Sequence, residues 1–198
     1  MKNQKNNTSN LSVRIISGAW KGRNIKFLSK KDLRPTKNQI RETLFNWLQS
    51  HIEGSICIDL FAGSGALGFE SASRGAKKVY MVDIDIDIIN CLKKQKDEFN
   101  AKNIIIYKSD ANDFIKEIKD EIDIIFLDPP FGDDVLNLII NNLSLSENLR
   151  DKCKIYVEMP FTKNFENNID VPMNWKLLKN CKSGDVAYLL FQHNDSMI

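Results

Sequence analysis

Histidine is nearly absent from this chain of 198 residues, with only His51 and His193 present. Each stands alone near the end of a sequence element. A histidine-rich metal cluster is excluded, and both are read as surface residues rather than catalysts or ligands. Cysteine is also sparse: Cys57, Cys91, Cys153 and Cys181 show no metal-ligand spacing. That excludes a zinc ribbon and a disulfide framework, leaving reduced thiols, buried or incidental, and no bound metal is expected. No window approaches about 18 unbroken apolar residues, so no helical membrane span is expected. Residues 1–10 are polar and Asn-rich and lack the apolar core of a secretory signal. A cytoplasmic protein is the expectation.

Acidic residues are missing from one region. The first 50 residues hold two acids, Asp32 and Glu42, against eleven lysines and arginines. That segment therefore carries +9, and the rest of the chain must carry −7 to give the net +2. Such asymmetry fits contact with a polyanion; a solvated basic face is the plain alternative. What remains is ordinary: 42% hydrophobic and 27% charged residues, enough for one soluble globular domain.

Residues 13–16 and 24–28 read as two strands around Ser17-Gly18-Ala19-Trp20-Lys21-Gly22-Arg23, so a hairpin is expected. Arg34-Pro35-Thr36 breaks the chain. Thr36 is then the N-cap of a helix over 37–49, with Ile40, Leu44, Trp47 and Leu48 on one face. From residue 55, apolar strands (55–60, 78–83, 104–107, 122–128, 154–158) alternate with helices (66–74, 87–100, 111–118, 135–143). This alternation implies an α/β fold with a parallel sheet covered on both faces. Strands over 175–179 and 186–191, joined around Ser183-Gly184-Asp185, imply a closing antiparallel hairpin. The expected divisions are a disordered tail over 1–10, a basic hairpin and helix over 11–50 that is too small for its own core, and the main domain over 51–198.

Gly63-Ser64-Gly65-Ala66-Leu67-Gly68 follows a strand and opens a helix, and Asp83 ends the next strand. Glycines permit a tight turn and close backbone approach, and the carboxylate suits ribose hydroxyls. By this pattern alone a nicotinamide dinucleotide is the first ligand to consider. S-adenosylmethionine also presents an adenosine ribose, and Asp59 is placed to accept from its ammonium group. A solvated strand end is the plain alternative for Asp83.

The chain has five prolines, and two of them, Pro129 and Pro130, stand together after a buried strand. Each lacks an N–H and restricts its predecessor, so the pair holds the chain extended where open α/β sheets bind ligands. Asp128 offers a carboxylate, Pro129 a carbonyl and Phe131 an aromatic face. An exocyclic base amine is a poor nucleophile because its lone pair is delocalised into the ring. Two acceptors on its hydrogens would aim that lone pair, and Phe131 would stack on the base. An ordinary turn is the plain alternative for Asp-Pro-Pro.

With these residues in view, the chain resembles the bacterial RsmD family, the 16S ribosomal RNA guanine-N2 methyltransferases. The resemblance runs over about residues 13–191 and is carried by Arg14-Ile-Ile-Ser-Gly-Ala-Trp-Lys-Gly-Arg23, Arg34-Pro-Thr36, Arg41-Glu-Thr-Leu-Phe-Asn46, Asp59 through Gly68, Asp128 through Phe131, Tyr156-Val-Glu158 and Gly184-Asp-Val-Ala-Tyr188. It implies a Rossmann-like S-adenosylmethionine-dependent fold of seven strands, mostly parallel, with an antiparallel C-terminal hairpin and an N-terminal extension. It implies a guanine of 16S ribosomal RNA as target, in an assembled or nearly assembled small subunit, and a monomeric enzyme. Matching positions put Asp83 on the ribose, Asp110 and Ala111 on the adenine, and Asp128, Pro129, Pro130 and Phe131 on the target base. Phe61, Ala62, Gly63, Gly65 and Ile84 complete the cofactor site, and Thr36 and Arg41 belong to the segment packed over it. The family's acid at Asp83 is commonly Glu. In the basic arm, Arg14, Lys21, Arg23 and Arg34 are the candidate phosphate contacts. Trp20 either stacks on an unpaired base or plugs the hairpin.

Alternatives stay open at this level. Asp-Pro-Pro-Phe suits adenine N6 as well as guanine N2. A non-catalytic RNA-binding or ribosome-assembly module that keeps the pocket, and a nicotinamide oxidoreductase, are the readings from other classes.

Overall fold

The apolar strands close into one sheet, as their alternation with helices predicts. In the computed structural model, residues 11–28, 38–130, 135–162 and 169–195 are described. The order is β1 (Leu11–Arg14), β2 (Asn24–Phe27), α1 (Asn38–Trp47), β3 (Ile56–Asp59), α2 (Ala66–Ser73), β4 (Lys78–Asp83), α3 (Ile86–Phe99), β5 (Ile104–Lys108), α4 (Ala111–Glu117), β6 (Ile122–Leu127), α5 (Val135–Ser144), β7 (Leu149–Pro160), β8 (Trp175–Ser183) and β9 (Val186–His193). The seven-stranded sheet runs β5-β4-β3-β6-β7-β9-β8. Its first five members are parallel, and β9 inserts antiparallel between β7 and β8. This is a Rossmann-like α/β sheet with an antiparallel C-terminal hairpin. No helix among the described residues is long and apolar enough to cross a membrane.

Strand alternation divides the core in two. On one side Cys57, Val79, Met81, Ile124, Phe126, Tyr156 and Tyr188 meet α1, α2, α3 and the β1–β2 hairpin. On the other, Ile58, Val82, Ile125, Leu127, Val157 and Leu189 meet α4 and α5. Central strands are buried on both faces, which is why they read as unbroken apolar runs rather than alternating ones. The hairpin has its own two-stranded sheet but shares the first core through Val13, Ile15, Ile25 and Phe27.

Strands β7 and β8 exceed their expected lengths the most. Strand β7 spans 12 residues, because its first part, Leu-Arg-Asp-Lys-Cys, enters the ladder without an apolar signature. Lys152 there is left-handed, at φ 67°. The register jumps with it: Ile122 faces Leu149 while Ile124 faces Lys154. Strand β8 runs to Ser183, and its lysines are tolerated because it is the sheet edge.

The hairpin loop is seated on the C-terminal end of α2. Ala19 N–H donates to the Ser73 carbonyl at 2.7 Å. Ser73 Oγ accepts from Trp20 N–H at 3.0 Å and donates to the Ser17 carbonyl at 2.6 Å. Gly18, at φ 82°, passes so close that a Cβ there would lie 1.9 Å from the Ser73 oxygen. Only glycine serves both its conformation and its contact.

Candidate active site

Register places the acids. Asp59 at the end of β3 pairs with Met81 on β4 and with Phe126 on β6. Asp83 and Asp128 lie two residues beyond those partners, so they share Asp59's face and stand one step further out. The three carboxylates therefore border the crevice at the carboxyl ends of three neighbouring strands, on the side covered by α1, α2 and α3.

The loop leaving β3 turns through left-handed glycines, Gly63 at φ 47° and Gly65 at φ 79°. A Cβ on Gly65 would come within 2.8 Å of Leu92 and of Phe69. Ala62 is buried and donates its N–H to the Val82 carbonyl at 2.8 Å, and Phe61 packs half-buried toward the α4–α5 core. Asp83 Oδ2 accepts from Gly63 N–H at 3.0 Å and Oδ1 from Asp85 N–H at 2.9 Å. Loop and strand end are thus one unit. Beside it Ile84 is 68% exposed, an apolar surface that an adenine face would cover. Asp110 caps α4 by accepting from Asn112 N–H at 2.8 Å, and Ala111 behind it is buried.

Asp59 is buried and accepts from Gly68 N–H at 3.1 Å. Burial first, then the neighbouring charge of Asp128 and a smaller effect of Asp83, push its carboxyl up to about 7, against the pull of the Gly68 and Phe61 backbone N–H groups. No cation among the described residues offsets this acid's charge. An ammonium group beside it would restore its charge. The residues therefore fit S-adenosylmethionine: a left-handed glycine turn that lets a ligand approach the backbone, a held carboxylate for the ribose, an exposed apolar side chain, and a buried acid that a cationic group would stabilise.

Asp128 is half-buried, Pro129 is buried and Pro130 exposed. Phe131, like Thr36 and Arg34, lies outside the described residues. On the adjoining strand, Glu158 is buried and accepts the Tyr156 hydroxyl at 2.8 Å. The resemblance includes Tyr156-Val-Glu158 without implying a role for Glu158.

Packing fixes several residues of the arm. Arg41, expected over the cofactor, is wholly buried. Its Nη2 donates to the Arg14 carbonyl at 2.8 Å and to Asn38 Oδ1 at 2.6 Å, and its Nη1 lies 3.7 Å from Glu70 Oε2. It ties α1 to the hairpin and to α2. Trp20 takes the plug position, edge-on to Phe99 at 5.3 Å and to Phe69 at 6.4 Å. Arg23 stacks 3.8 Å over the Phe99 ring and donates to the Glu98 carbonyl at 2.8 Å. Arg14, Lys21 and Arg23 all remain exposed. His193, expected at the surface, is buried on β9 with Asp195 at 3.2 Å and Asn174 at 3.4 Å. Sequence reasoning missed Glu70, which receives Ile16 N–H at 2.8 Å, Ser17 N–H at 3.0 Å and Arg74 Nε at 2.7 Å. The available signal was a carboxylate amid the small and apolar residues of α2.

The family model of Conserved hypothetical protein 95 matches residues 13–192. Ribosomal RNA small subunit methyltransferase D of Haemophilus influenzae is 40% identical over 185 residues, covering 91% of this chain and 94% of that protein. Its Escherichia coli counterpart is 38% identical over 188 residues, covering 94% and 93%. The solved structure of yhhF from Escherichia coli, described as a methyltransferase, superposes with a TM-score of 0.84 at 37% identity, covering 92% of this chain and 98% of that one.

Proposed function

The chain belongs to the Conserved hypothetical protein 95 (RsmD) family and is a small-subunit ribosomal RNA methyltransferase; we propose that it methylates the exocyclic N2 amine of a guanine in 16S ribosomal RNA, using S-adenosylmethionine. The observation that carries the reading is the row of Asp83, Asp59 and Asp128 around a left-handed glycine turn, with the Pro129-Pro130 pair fixing the rim next to Asp128.

When bound, S-adenosylmethionine supplies a methyl group already activated by its sulfonium. Asp83 holds the ribose hydroxyls, Asp59 faces the ammonium group directly or through water, and Ile84 with the Asp110–Ala111 turn flanks the adenine. Asp128 and the Pro129 carbonyl would accept the two amine hydrogens and so turn the nitrogen lone pair outward for attack. Most of the catalytic gain is alignment. The proton lost by the amine is held at an Asp128 oxygen or passes to water. Exposed Arg14 and Lys21 supply phosphate contacts, and the target base is extruded into the crevice. The enzyme acts in the cytoplasm as a monomer on an assembled or nearly assembled small subunit.

The test is methyl transfer from labelled donor to naked RNA and to undermethylated small subunits, followed by nucleoside mass spectrometry and mapping. N2-methylguanine supports the reading. N6-methyladenine moves the enzyme to the other amine, and no transfer to either substrate leaves a non-catalytic RNA-binding module.

Cofactor affinity should depend on pH through Asp59. Its carboxyl is raised in the folded state to about 7, so its contribution to stability is present below the unfolded value and is lost as pH rises through about 7. A cofactor ammonium group favours the ionised form, so binding below that pH must expel a proton. Affinity for S-adenosylhomocysteine is expected to rise roughly threefold to tenfold from about pH 6 to about pH 8, and to be weak and flat in Asp59→Asn. Calorimetry at several pH values measures this; a wild-type affinity that falls over this range would remove Asp59 from the cofactor site.

A further inference from the structure

Two acceptors at an amine do not choose between bases. Adenine and guanine differ at the neighbouring ring nitrogen: guanine carries N1–H beside its N2 amine, whereas adenine carries a lone pair at N1 beside its N6 amine. A residue that tells donor from acceptor at N1 would decide which base is methylated.

Glu158 is placed for this. Leu127 faces Val157 in the β6–β7 ladder, so Glu158 stands next to Asp128 on the adjoining strand. Alternation turns both to one side of the sheet, because Phe126 and Tyr156, two residues earlier on each strand, have their rings 6.3 Å apart in the same core. Burial, then Glu158, and more weakly Asp128 hold the Tyr156 hydroxyl well above its ordinary value, so Tyr156 donates rather than ionises. Tyr188 faces Glu158 across the β7–β9 ladder. A carboxylate buried at a strand end is costly, and core packing alone would be better served by an apolar side chain. An ionised carboxylate only accepts hydrogen bonds. Asp128 and Glu158 together form two acceptors side by side, the complement of the N–H groups along the N1–N2 edge of guanine.

We propose that Glu158, held by the Tyr156 hydroxyl, accepts the N1–H of the target guanine and excludes bases that present a lone pair there. The inference rests on Asp128 receiving the amine. A site built to accept a hydrogen bond rejects an analogue that cannot donate one, because acceptor then faces acceptor.

2-Aminopurine separates the two claims, since it keeps the amine at C2 and carries a lone pair at N1. RNA spanning the mapped nucleotide, reconstituted into small subunits, would carry guanine or 2-aminopurine at that position. Wild type is expected to favour guanine by about a hundredfold or more in kcat/KM. Glu158→Gln can turn an amide N–H toward N1, so the preference should shrink to about tenfold or less, mainly through a gain on 2-aminopurine. Equal losses on both bases would show that Glu158 only supports the fold and would overturn the proposal. So would a wild type that methylates both bases equally. If Glu158→Gln loses cofactor binding, Tyr156→Phe takes its place: it keeps the carboxylate, frees it from its hydroxyl partner and should lower the preference about tenfold, whereas an unchanged preference counts against the proposal. A wild type inactive on guanine would instead refute the functional reading itself.

Discussion

Replacing Asp128 by alanine is expected to lower methyl transfer by about a thousandfold while leaving cofactor affinity at least as tight as in wild type. The loss is large because the amine nitrogen must be turned out of conjugation before it can attack, and the alignment depends on both of its acceptors. The Pro129 carbonyl alone can bind one hydrogen but cannot set the lone pair. The effect on cofactor has the opposite sign. Asp128 is the charge that does most to hold the Asp59 carboxyl up near 7, after burial itself. Without it Asp59 ionises more readily and meets an ammonium group on better terms. Asp128→Asn keeps one acceptor oxygen and should fall between, at about a tenfold to hundredfold loss. Single-turnover transfer, with calorimetry of S-adenosylhomocysteine, separates the two effects. A variant that turns over normally would remove Asp128 from the chemistry, and one that loses cofactor affinity would show that it serves binding instead.

Most of the sheet was legible because burial on both faces writes an unbroken apolar run into the sequence. The ends of β3 and β6 were legible for a related reason: a glycine turn and a proline pair are costly beside buried strands and mark where the backbone must take a special path. The arm was harder to read. Trp20 and Arg23 lie among basic residues and suggest a surface for a polyanion, and the resemblance puts Arg41 over the cofactor, yet Trp20 and Arg23 are held by Phe99 on α3 and Arg41 by Glu70 on α2. Those partners are distant in sequence, and no local periodicity announces them. Strand β7 conceals its first part because Arg150, Asp151 and Lys152 interrupt the apolar pattern around an irregular register. Glu158 was hidden differently. It closes the expected strand over 154–158, and nothing local marks it until the ladder sets it beside Asp128.

Glu70→Ala should be the most damaging substitution outside the crevice, costing about 3–5 kcal/mol of stability. Glu70 and Arg41 are both wholly buried, with Nη1 and Oε2 3.7 Å apart. Arg41 Nε and Nη1 are buried without a hydrogen-bond partner among the described residues, so the charge of Glu70 is their main compensation. Alanine would also strip the acceptor from Ile16 N–H and Ser17 N–H, the two backbone groups that lead into the hairpin loop. A buried cation left alone is worse than no pair at all. Arg41→Met with Glu70→Leu should therefore recover part of the stability lost by Glu70→Ala, and urea denaturation of the single and double variants gives the coupling. RNA affinity should not recover with it. In the double variant the hairpin loses its anchors at Ile16 N–H, at Ser17 N–H and at the Arg14 carbonyl, so Arg14 and Lys21 are held against α2 by the Ser73 contacts and side-chain packing alone. Stability regained without RNA binding would show that the buried pair serves mainly to aim the basic arm. If binding returned together with stability, the Ser73 hydrogen bonds and the hydrophobic contacts of Trp20 and Ile25 would be sufficient to place it.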